Sequence, residues 1–213
     1  FDLKSMGHNT VDYLHTWIEC AKLAFADREE YYGDPDFVEV PLDWLLSREY
    51  AKERRKLVDP EEASMLHRPG GVEPTKLEEH GKKHWFEGDT VHLDVVDRWG
   101  NMVSATPSGG WIRTSPLVPG LGFPMGTRGQ MLHLDPDHAE SLEPGKRPST
   151  TLTPSLVTKD DEQFMVFGTP GGDKQDQWTL QFFINYVVFD MNIQEALDAP
   201  TVHTSHFPAS FWP

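Results

Sequence analysis

The apolar residues near the start of the chain recur at helical spacing. Counted from the first of them, they lie at offsets of 0, 3, 7, 10 and 14 and form one stripe on a helix predicted over residues 10–26. The members of this stripe are Val11, Leu14, Ile18, Ala21 and Phe25. Thr10 or Asn9 can cap the helix. A second helix is predicted over residues 44–57, with the charged segment REYAKERRK facing solvent.

The pattern changes after residue 59. Residues 59–87 have neither helical nor strand periodicity and are predicted to form an exposed, mobile connector. Alternating residues then predict two hairpins, one with strands over 91–96 and 102–106 and one with strands over 152–158 and 163–168. An apolar helix over 175–189 follows, and a capping box between Asn192 and Glu195 opens a short last helix. Hairpins flanked by helices, without regular alternation of strand and helix, predict the α+β class.

The charge of the chain narrows the range of partners. Among 213 residues there are 34 Asp and Glu against 19 Lys and Arg, a net charge of −15. This charge repels phosphate backbones and anionic lipid, so binding to nucleic acid is not expected. No run of 18 apolar residues is present, and no membrane span is predicted. The first residues lack the basic and apolar regions of a signal peptide, which leaves the compartment open.

Ten histidines raise the question of a metal site. Two short pairs, His133 with His138 and His203 with His206, are the candidates. Zinc sites need three or four ligands in defined geometry, and neither an HExxH nor a CxxC element is present. Surface or hydrogen-bonding histidines are therefore favoured, and no metal or other cofactor is predicted.

Two short segments could support acyl transfer, although the GxSxG element of serine hydrolases is absent. Gly171 and Gly172, between a predicted strand and a helix, could present two backbone N–H groups to an oxyanion, or could form only a tight turn. Thr90 follows Gly88 and Asp89 at the start of a predicted strand. If the chain were cut before it, its free amine could act as base for its own hydroxyl. The alternative is a β-branched residue favoured at a strand start.

A series of motifs resembles the γ-glutamyltranspeptidase family of N-terminal-nucleophile hydrolases over nearly the whole chain. The motifs are GHNTVDYLHTWIECAKLAFADREEYYGDPDFV, TVH followed by VVDRWGNMVSAT, RGQM, PGKRPSTTLTPSLV, GTPGG and MNIQEALDAPTVH. The resemblance implies a precursor that cleaves itself between Asp89 and Thr90. Residues 1–89 would be the C-terminal part of a large subunit, with the connector at about 59–89, and residues 90–213 a small catalytic subunit. It also implies an αββα sandwich, in which two stacked antiparallel sheets are flanked by helices.

The resemblance also implies roles for individual residues. Thr90 would attack the amide carbonyl of a small-molecule donor, and water or an amine would resolve the acyl-enzyme. The remaining implied groups are the oxyanion donors Gly171 and Gly172, the amine-binding hydroxyl of Ser108, the carboxylate-binding hydroxyls of Thr150 and Thr151, and Gln130, which would read the donor's amino group. The remainder of the large subunit would be a partner, no cofactor is implied, and a homodimer is left open.

Two positions depart from the family pattern. His133 stands where the glutamyl-binding members have an Asp that pairs with the donor ammonium, and Gly110 stands where they have Asn. A neutral imidazole binds an ammonium less strongly than a carboxylate does. The expected donor is therefore a γ-glutamyl or a glutaryl-type amide. The alternative is a non-catalytic homologue or fragment that acts as a binding or assembly module.

Overall fold

The computed structural model describes residues 1–77, 90–109 and 115–211, in which helices flank short antiparallel hairpins. The helices are α1 (Leu3–Met6), α2 (Val11–Tyr31), α3 (Leu42–Leu45), α4 (Arg48–Arg55), α5 (Gln175–Val187) and α6 (Ile193–Asp198). The strands are β1 (Leu66–His67), β2 (Thr75–Lys76), β3 (Leu93–Val96), β4 (Met102–Ala105), β5 (Ser155–Lys159) and β6 (Glu162–Phe167). Two 3₁₀ turns span Arg128–Met131 and Gly172–Lys174. This arrangement confirms the predicted α+β class.

Helix α2 begins where the sequence predicts and runs five residues further. The hydroxyl of its N-cap Thr10 accepts the N–H of Tyr13. The buried face differs from the predicted stripe, because Val11 is 81% exposed whereas Tyr13 and Trp17 are buried. Two charged positions, Glu19 and Lys22, are buried as well, and they form an ion pair with each other.

The segment between α2 and the first long hairpin is more ordered than predicted. The expected helix over 44–57 is two helices, because the hydroxyl of Ser47 accepts the N–H of Tyr50 and starts α4 anew. Within the expected connector, β1 pairs with β2, and Arg68 binds Glu19 at 2.9 Å. The N–H of Gly70 donates to Asp27 Oδ1 at 2.8 Å. Residues 64–70 therefore pack on α2, while the end of the connector lies outside the described residues.

Both long hairpins form at the predicted places. β3 pairs with β4 from Leu93 opposite Ala105 to Val96 opposite Met102. β5 pairs with β6 with a register shift between Val157 and Thr158. β4 lies beside β6, so the two hairpins are neighbours and their ends can share one site.

Helix α5 buries polar residues rather than its apolar ones. Its fully buried side chains include Gln177 and Gln181, whereas Phe182 and Phe183 are half-buried and contact Phe167 of β6. The two glutamine amides each make a pair of hydrogen bonds with the backbone of an extended segment at residues 202–204. This fixes the course of the C-terminal segment along α5.

The last helix is opened by the capping box that the sequence predicts. The side chain of Asn192 accepts the N–H of Glu195, whose carboxylate accepts the N–H of Asn192. In the part of the chain that the structure describes, none of the helices combines the length and the hydrophobicity needed to cross a membrane.

Candidate active site

Thr90 and Ser108 are brought together at the open end of the first long hairpin. Thr90 Oγ1 lies 2.7 Å from Ser108 Oγ, so one hydroxyl donates to the other. The N–H of Val91 donates to the carbonyl of Pro107 at 3.1 Å and extends the pairing beyond β3 and β4. Because a hydroxyl that accepts or donates at this distance has a fixed direction, the hairpin orients the side chain of Thr90.

His92 connects this hairpin to the end of β6. Its Nδ1 lies 2.8 Å from the hydroxyl of Thr106, and its Nε2 lies 2.9 Å from a carboxylate oxygen of Asp94. The imidazole also lies against Gly168, where a Cβ would come within 2.6 Å of Nδ1 and closer still to Cε1. Only glycine leaves room for this approach, and the segment that leads to Gly171 starts there.

Gly171 and Gly172 form the turn between β6 and α5. Their φ angles are +146° and +57°, a backbone that glycine adopts without steric cost. A Cβ at Gly171 would lie 2.8 Å from the ring of Trp178, so a side chain has no room there. The N–H of Lys174 donates to the carbonyl of Gly171 at 3.1 Å and closes the turn.

The carboxylate of Asp173, the residue after the two glycines, is held on both oxygens. Oδ2 accepts the N–H of Ser210 at 3.0 Å, and Oδ1 accepts the hydroxyl of Ser210 and Nη2 of Arg28, the latter at 3.3 Å. Arg28 also pairs with Glu29 at 2.6 Å and with Asp176 at 3.7 Å. Burial alone would lower the pKa of Arg28, but the attraction of Glu29 and Asp173 raises it. Burial raises the pKa of Glu29 and of Asp176.

A cavity of about 290 Å³ adjoins this ionic cluster. It lies between the end of α2 and the segment over residues 131–150. Arg28 and Ser210 contribute to its wall and connect it to Asp173 and the glycine turn. Of the sequence-predicted site residues, His133 and Thr150 line it. Its lining residues are Arg28, Glu29, Tyr32, Gly33, Asp34, Pro35, Met131, His133, His138, Glu140, Arg147, Pro148, Ser149, Thr150 and Ser210.

His133 and His138 form a stacked pair in the cavity wall. Their ring centroids are 3.6 Å apart and their planes differ by 3°. The N–H of Glu140 donates to Nδ1 of His138 at 3.0 Å, so this nitrogen carries no proton and Nε2 is the donor. Burial, followed by the neighbouring His133, lowers the pKa of His138. His133, at the position where the family pattern has a carboxylate, is thus stacked on a neutral imidazole.

The other predicted residues have varied surroundings. Thr151 is buried, and its hydroxyl has no hydrogen-bond partner among the described residues. Gln130 is exposed on the 3₁₀ turn over residues 128–131. Gly110 and Asp89 lie outside the described residues. The structure thus places Thr90 beside Ser108, and it places Thr150 and His133 separately, in the wall of one cavity.

The sequence analysis missed the groups that connect these parts of the site. Arg28, Asp173 and Ser210 come from α2, the glycine turn and the C-terminal segment. The position of Asp173 directly after a glycine pair was the available signal, whereas nothing local marks Arg28 or Ser210. Across residues 1–77, 90–109 and 115–211, no group of three or more His, Cys, Asp or Glu side chains could hold a metal ion.

Comparison with known proteins gives consistent matches along the chain. The model of the family described as gamma-glutamyltranspeptidase matches residues 1–212. The glutathione hydrolase proenzyme of Pseudomonas sp. (strain A14) is 33% identical over 223 aligned residues, which cover 99% of this chain and 37% of that protein.

Two solved structures share the fold. The structure of LmbA2991HD is 50% identical with a TM-score of 0.84 and is matched over 97% of this chain and 37% of its own. The cephalosporin acylase from Bacillus halodurans is 36% identical with a TM-score of 0.73, over 90% of this chain and 32% of its own. The chain spans about a third of the length of each of these proteins. On the match over residues 1–212 and on these identities, the chain belongs to the γ-glutamyltranspeptidase family.

Proposed function

We propose that this chain carries the processing site and the nucleophile of a γ-glutamyltranspeptidase-like amidohydrolase or acyltransferase. Thr90 is the proposed nucleophile and the first residue after self-cleavage. The observation that carries the proposal is the 2.7 Å contact between the hydroxyls of Thr90 and Ser108 at the start of β3. Family membership supports it, because Thr90 and Ser108 both lie in motifs that resemble the family.

Self-cleavage and turnover would use the same hydroxyl. In cleavage, the oxygen of Thr90 attacks the carbonyl of Asp89, the peptide nitrogen leaves as the amine of Thr90, and water opens the resulting ester. The freed α-amine, with an ordinary pKa of about 7.7–8.0, then acts as base for the hydroxyl of its own residue. Ser108 is placed to hold this amine or the hydroxyl.

In turnover, Thr90 attacks the amide carbonyl of the donor. The N–H groups of Gly171 and Gly172 would stabilise the negative charge on the tetrahedral oxygen. The donor's amine takes a proton and leaves, and water or an amine acceptor resolves the acyl-enzyme. The turn between β6 and α5, closed by the hydrogen bond from Lys174 to Gly171, supports this role because donors fixed in advance stabilise the transition state without reorganisation.

The cavity beside Arg28 supports binding of a small acidic donor. Thr150 lines it, so the hydroxyl of this residue would donate a hydrogen bond to a donor carboxylate in the cavity. Thr151 does not line the cavity, and its buried hydroxyl has no partner in the described structure. His133 stands where the family pattern has a carboxylate, and its stacked neighbour His138 has a lowered pKa. The absence of that carboxylate favours a donor without an ammonium at this point, so a glutaryl-type amide is proposed beside a γ-glutamyl amide. The names of similar proteins, glutathione hydrolase and cephalosporin acylase, support an amide donor.

The proposal includes a larger assembly. Residues 1–89 and 90–213 would be parts of a large and a small subunit, with the rest of the large subunit as partner. Apolar side chains on both faces of the first long hairpin support this, because Leu93, Val95 and Val96 are each about half exposed. Covering them with further layers would complete the αββα sandwich.

Substitution of Thr90 tests the proposal directly. In the full-length protein, Thr90→Ala should leave one band on a denaturing gel and abolish turnover of γ-glutamyl and glutaryl p-nitroanilides. Thr158→Ala, at an exposed strand position, is the matched control and should be processed normally.

N-terminal sequencing of the wild type should find a free Thr-Val-His-Leu-Asp terminus. Two bands of unchanged size from Thr90→Ala would refute self-cleavage here. An intact wild type without turnover would support the binding-module alternative.

A further inference from the structure

We infer that Asp173 is a positioning residue that holds the glycine turn over Gly171 and Gly172 in its oxyanion-binding shape, and that Arg28 holds Asp173. The inference rests on the proposed function of the turn. It assigns a role to Asp173, which the proposed chemistry does not otherwise use.

The first step of the argument is the way in which Asp173 is anchored. Both carboxylate oxygens are occupied, by the N–H and hydroxyl of Ser210 and by the guanidinium of Arg28. Arg28 Nη2 also donates to Ser210 Oγ at 3.0 Å, so the three residues form a closed ring of contacts. The carbonyl of Asp173 accepts Nε2 of Gln177 at 3.1 Å. Side chain and backbone are thus both fixed at the residue that follows the two glycines.

The second step concerns the turn itself. Two adjacent glycines have the widest conformational freedom of any dipeptide, and holding them in one shape requires restraints from outside. The ring of Trp178 covers the Cα of Gly171 on one side. Asp173 supplies the restraint at the other end. Since a displacement of about 1 Å in a catalytic group can cost about 100-fold in rate, such a restraint affects catalysis.

The third step concerns where the restraint originates. Arg28 lies in α2, before the proposed cleavage site, whereas Asp173 and Ser210 lie after it. Cleavage between Asp89 and Thr90 would place Arg28 and Asp173 on different polypeptides. Their contact would then join the two subunits directly at the oxyanion turn. The Arg28 side chain is only 19% exposed, so this charge pair is largely shielded from solvent.

Asp176 provides a matched control. It lies three residues further along, carries the same charge and pairs with the same Arg28 at 3.7 Å. In the described structure no hydrogen bond joins it to Ser210, and it lies outside the glycine turn. Asp173→Asn and Asp176→Asn therefore remove the same charge beside the same guanidinium. Only Asp173→Asn also changes the contacts with Ser210.

The inference can be tested by steady-state kinetics of the full-length protein. The substrate is whichever of the γ-glutamyl and glutaryl p-nitroanilides the wild type turns over. Asp173→Ala should lower kcat about 10–100-fold and change KM less than about threefold, because the turn binds charge that develops only in the transition state. Asp173→Asn, which keeps the shape and one acceptor oxygen, should lie between Asp173→Ala and wild type. Arg28→Lys should also lower kcat, while Asp176→Asn should stay within about twofold of wild type. Equal kcat values for Asp173→Ala and Asp176→Asn would overturn the inference.

Hydrogen exchange supplies a readout that does not depend on turnover. Peptides that cover residues 168–176 should exchange faster in Asp173→Asn and Asp173→Ala than in Asp176→Asn, at a temperature where all are folded by circular dichroism. Unchanged exchange would also overturn the positioning role. If the wild type neither cleaves itself nor turns over an anilide, the proposed function fails, and the exchange comparison alone decides whether Asp173 restrains the turn.

Discussion

The imidazole of His92 lies against the backbone of Gly168 and leaves no room for a side chain there. His92 follows Thr90 by two residues, and Gly168 precedes Gly171 by three. This contact therefore helps to set the separation between the proposed nucleophile and the proposed oxyanion turn.

Gly168→Ala should disturb both stability and activity. The added Cβ would overlap the His92 ring, so the ring or the strand must move. Overpacking of this kind costs about 1–3 kcal/mol, which denaturant unfolding would measure, and kcat should fall with it. Gly129→Ala is the control, because a Cβ there meets no atom within 4 Å. A Gly168→Ala variant with wild-type stability and kcat would show that the contact has no role.

The elements that the sequence predicts correctly are those governed by local chemistry. The capping box of Asn192 and Glu195 forms because both partners lie within one helical turn. The turn of the first long hairpin forms because Asp97 accepts the backbone N–H groups of Trp99 and Asn101, only two and four residues away. In both cases the information lies within a few residues.

The buried faces depend on distant partners and were predicted less well. Glu19 can be buried in α2 because Arg68, 49 residues away, neutralises it. Gln181 can be buried in α5 because it meets the backbone of Val202. Neither partner is visible in a helical periodicity, which registers apolar residues alone.

In the candidate site, too, some residues can be predicted from local sequence and others depend on distant partners. Thr90 and Ser108 were predicted from motifs, and the structure brings them together. The pair of Arg28 and Asp173 joins positions 145 residues apart. Only folding places those two charges beside the glycine turn, so no local pattern could have predicted the pair.

Ser108→Ala should slow both processing and turnover. The hydroxyl of Ser108 lies 2.7 Å from that of Thr90, and loss of a typical hydrogen bond of about 1 kcal/mol corresponds to about fivefold in rate. Ser104→Ala is the matched control, since its hydroxyl makes only a long bond of 3.4 Å to the carbonyl of Phe167. The rate of appearance of the two subunit bands and kcat should both separate the variants. Equal rates for both variants would contradict the role of Ser108.

The ion pair of Asp34 with Arg147 should give the fold an acid-sensitive component. Hydrogen bonds from the side chain and the backbone N–H of Arg147 hold the pKa of Asp34 well below its ordinary value of 3.8. The stabilisation is therefore complete above about pH 4 and is lost as the pH falls towards the pKa of the folded state. Urea unfolding between pH 6 and pH 2 should show this loss in the wild type and not in Asp34→Asn.

Asp36→Asn is the control for that experiment. Asp36 lies 2.9 Å from the same guanidinium, but its side chain is 77% exposed, and exposed pairs contribute little. Its acid profile should follow the wild type. An Asp34→Asn profile parallel to that of the wild type would show that the pair does not couple folding to protonation.

The neutral form of His138 should make stability fall at mildly acidic pH. Burial lowers its pKa below 6.5 in the folded state, so the unfolded chain takes up the proton first as the pH drops. The free energy of unfolding should therefore decrease from pH 7 to pH 5. His138→Asn keeps an oxygen that can accept the N–H of Glu140 but cannot titrate. As the pH falls from 7 to 5, the free energy of unfolding should therefore decrease less in His138→Asn than in the wild type. Parallel curves would show that His138 is protonated as readily in the fold as outside it.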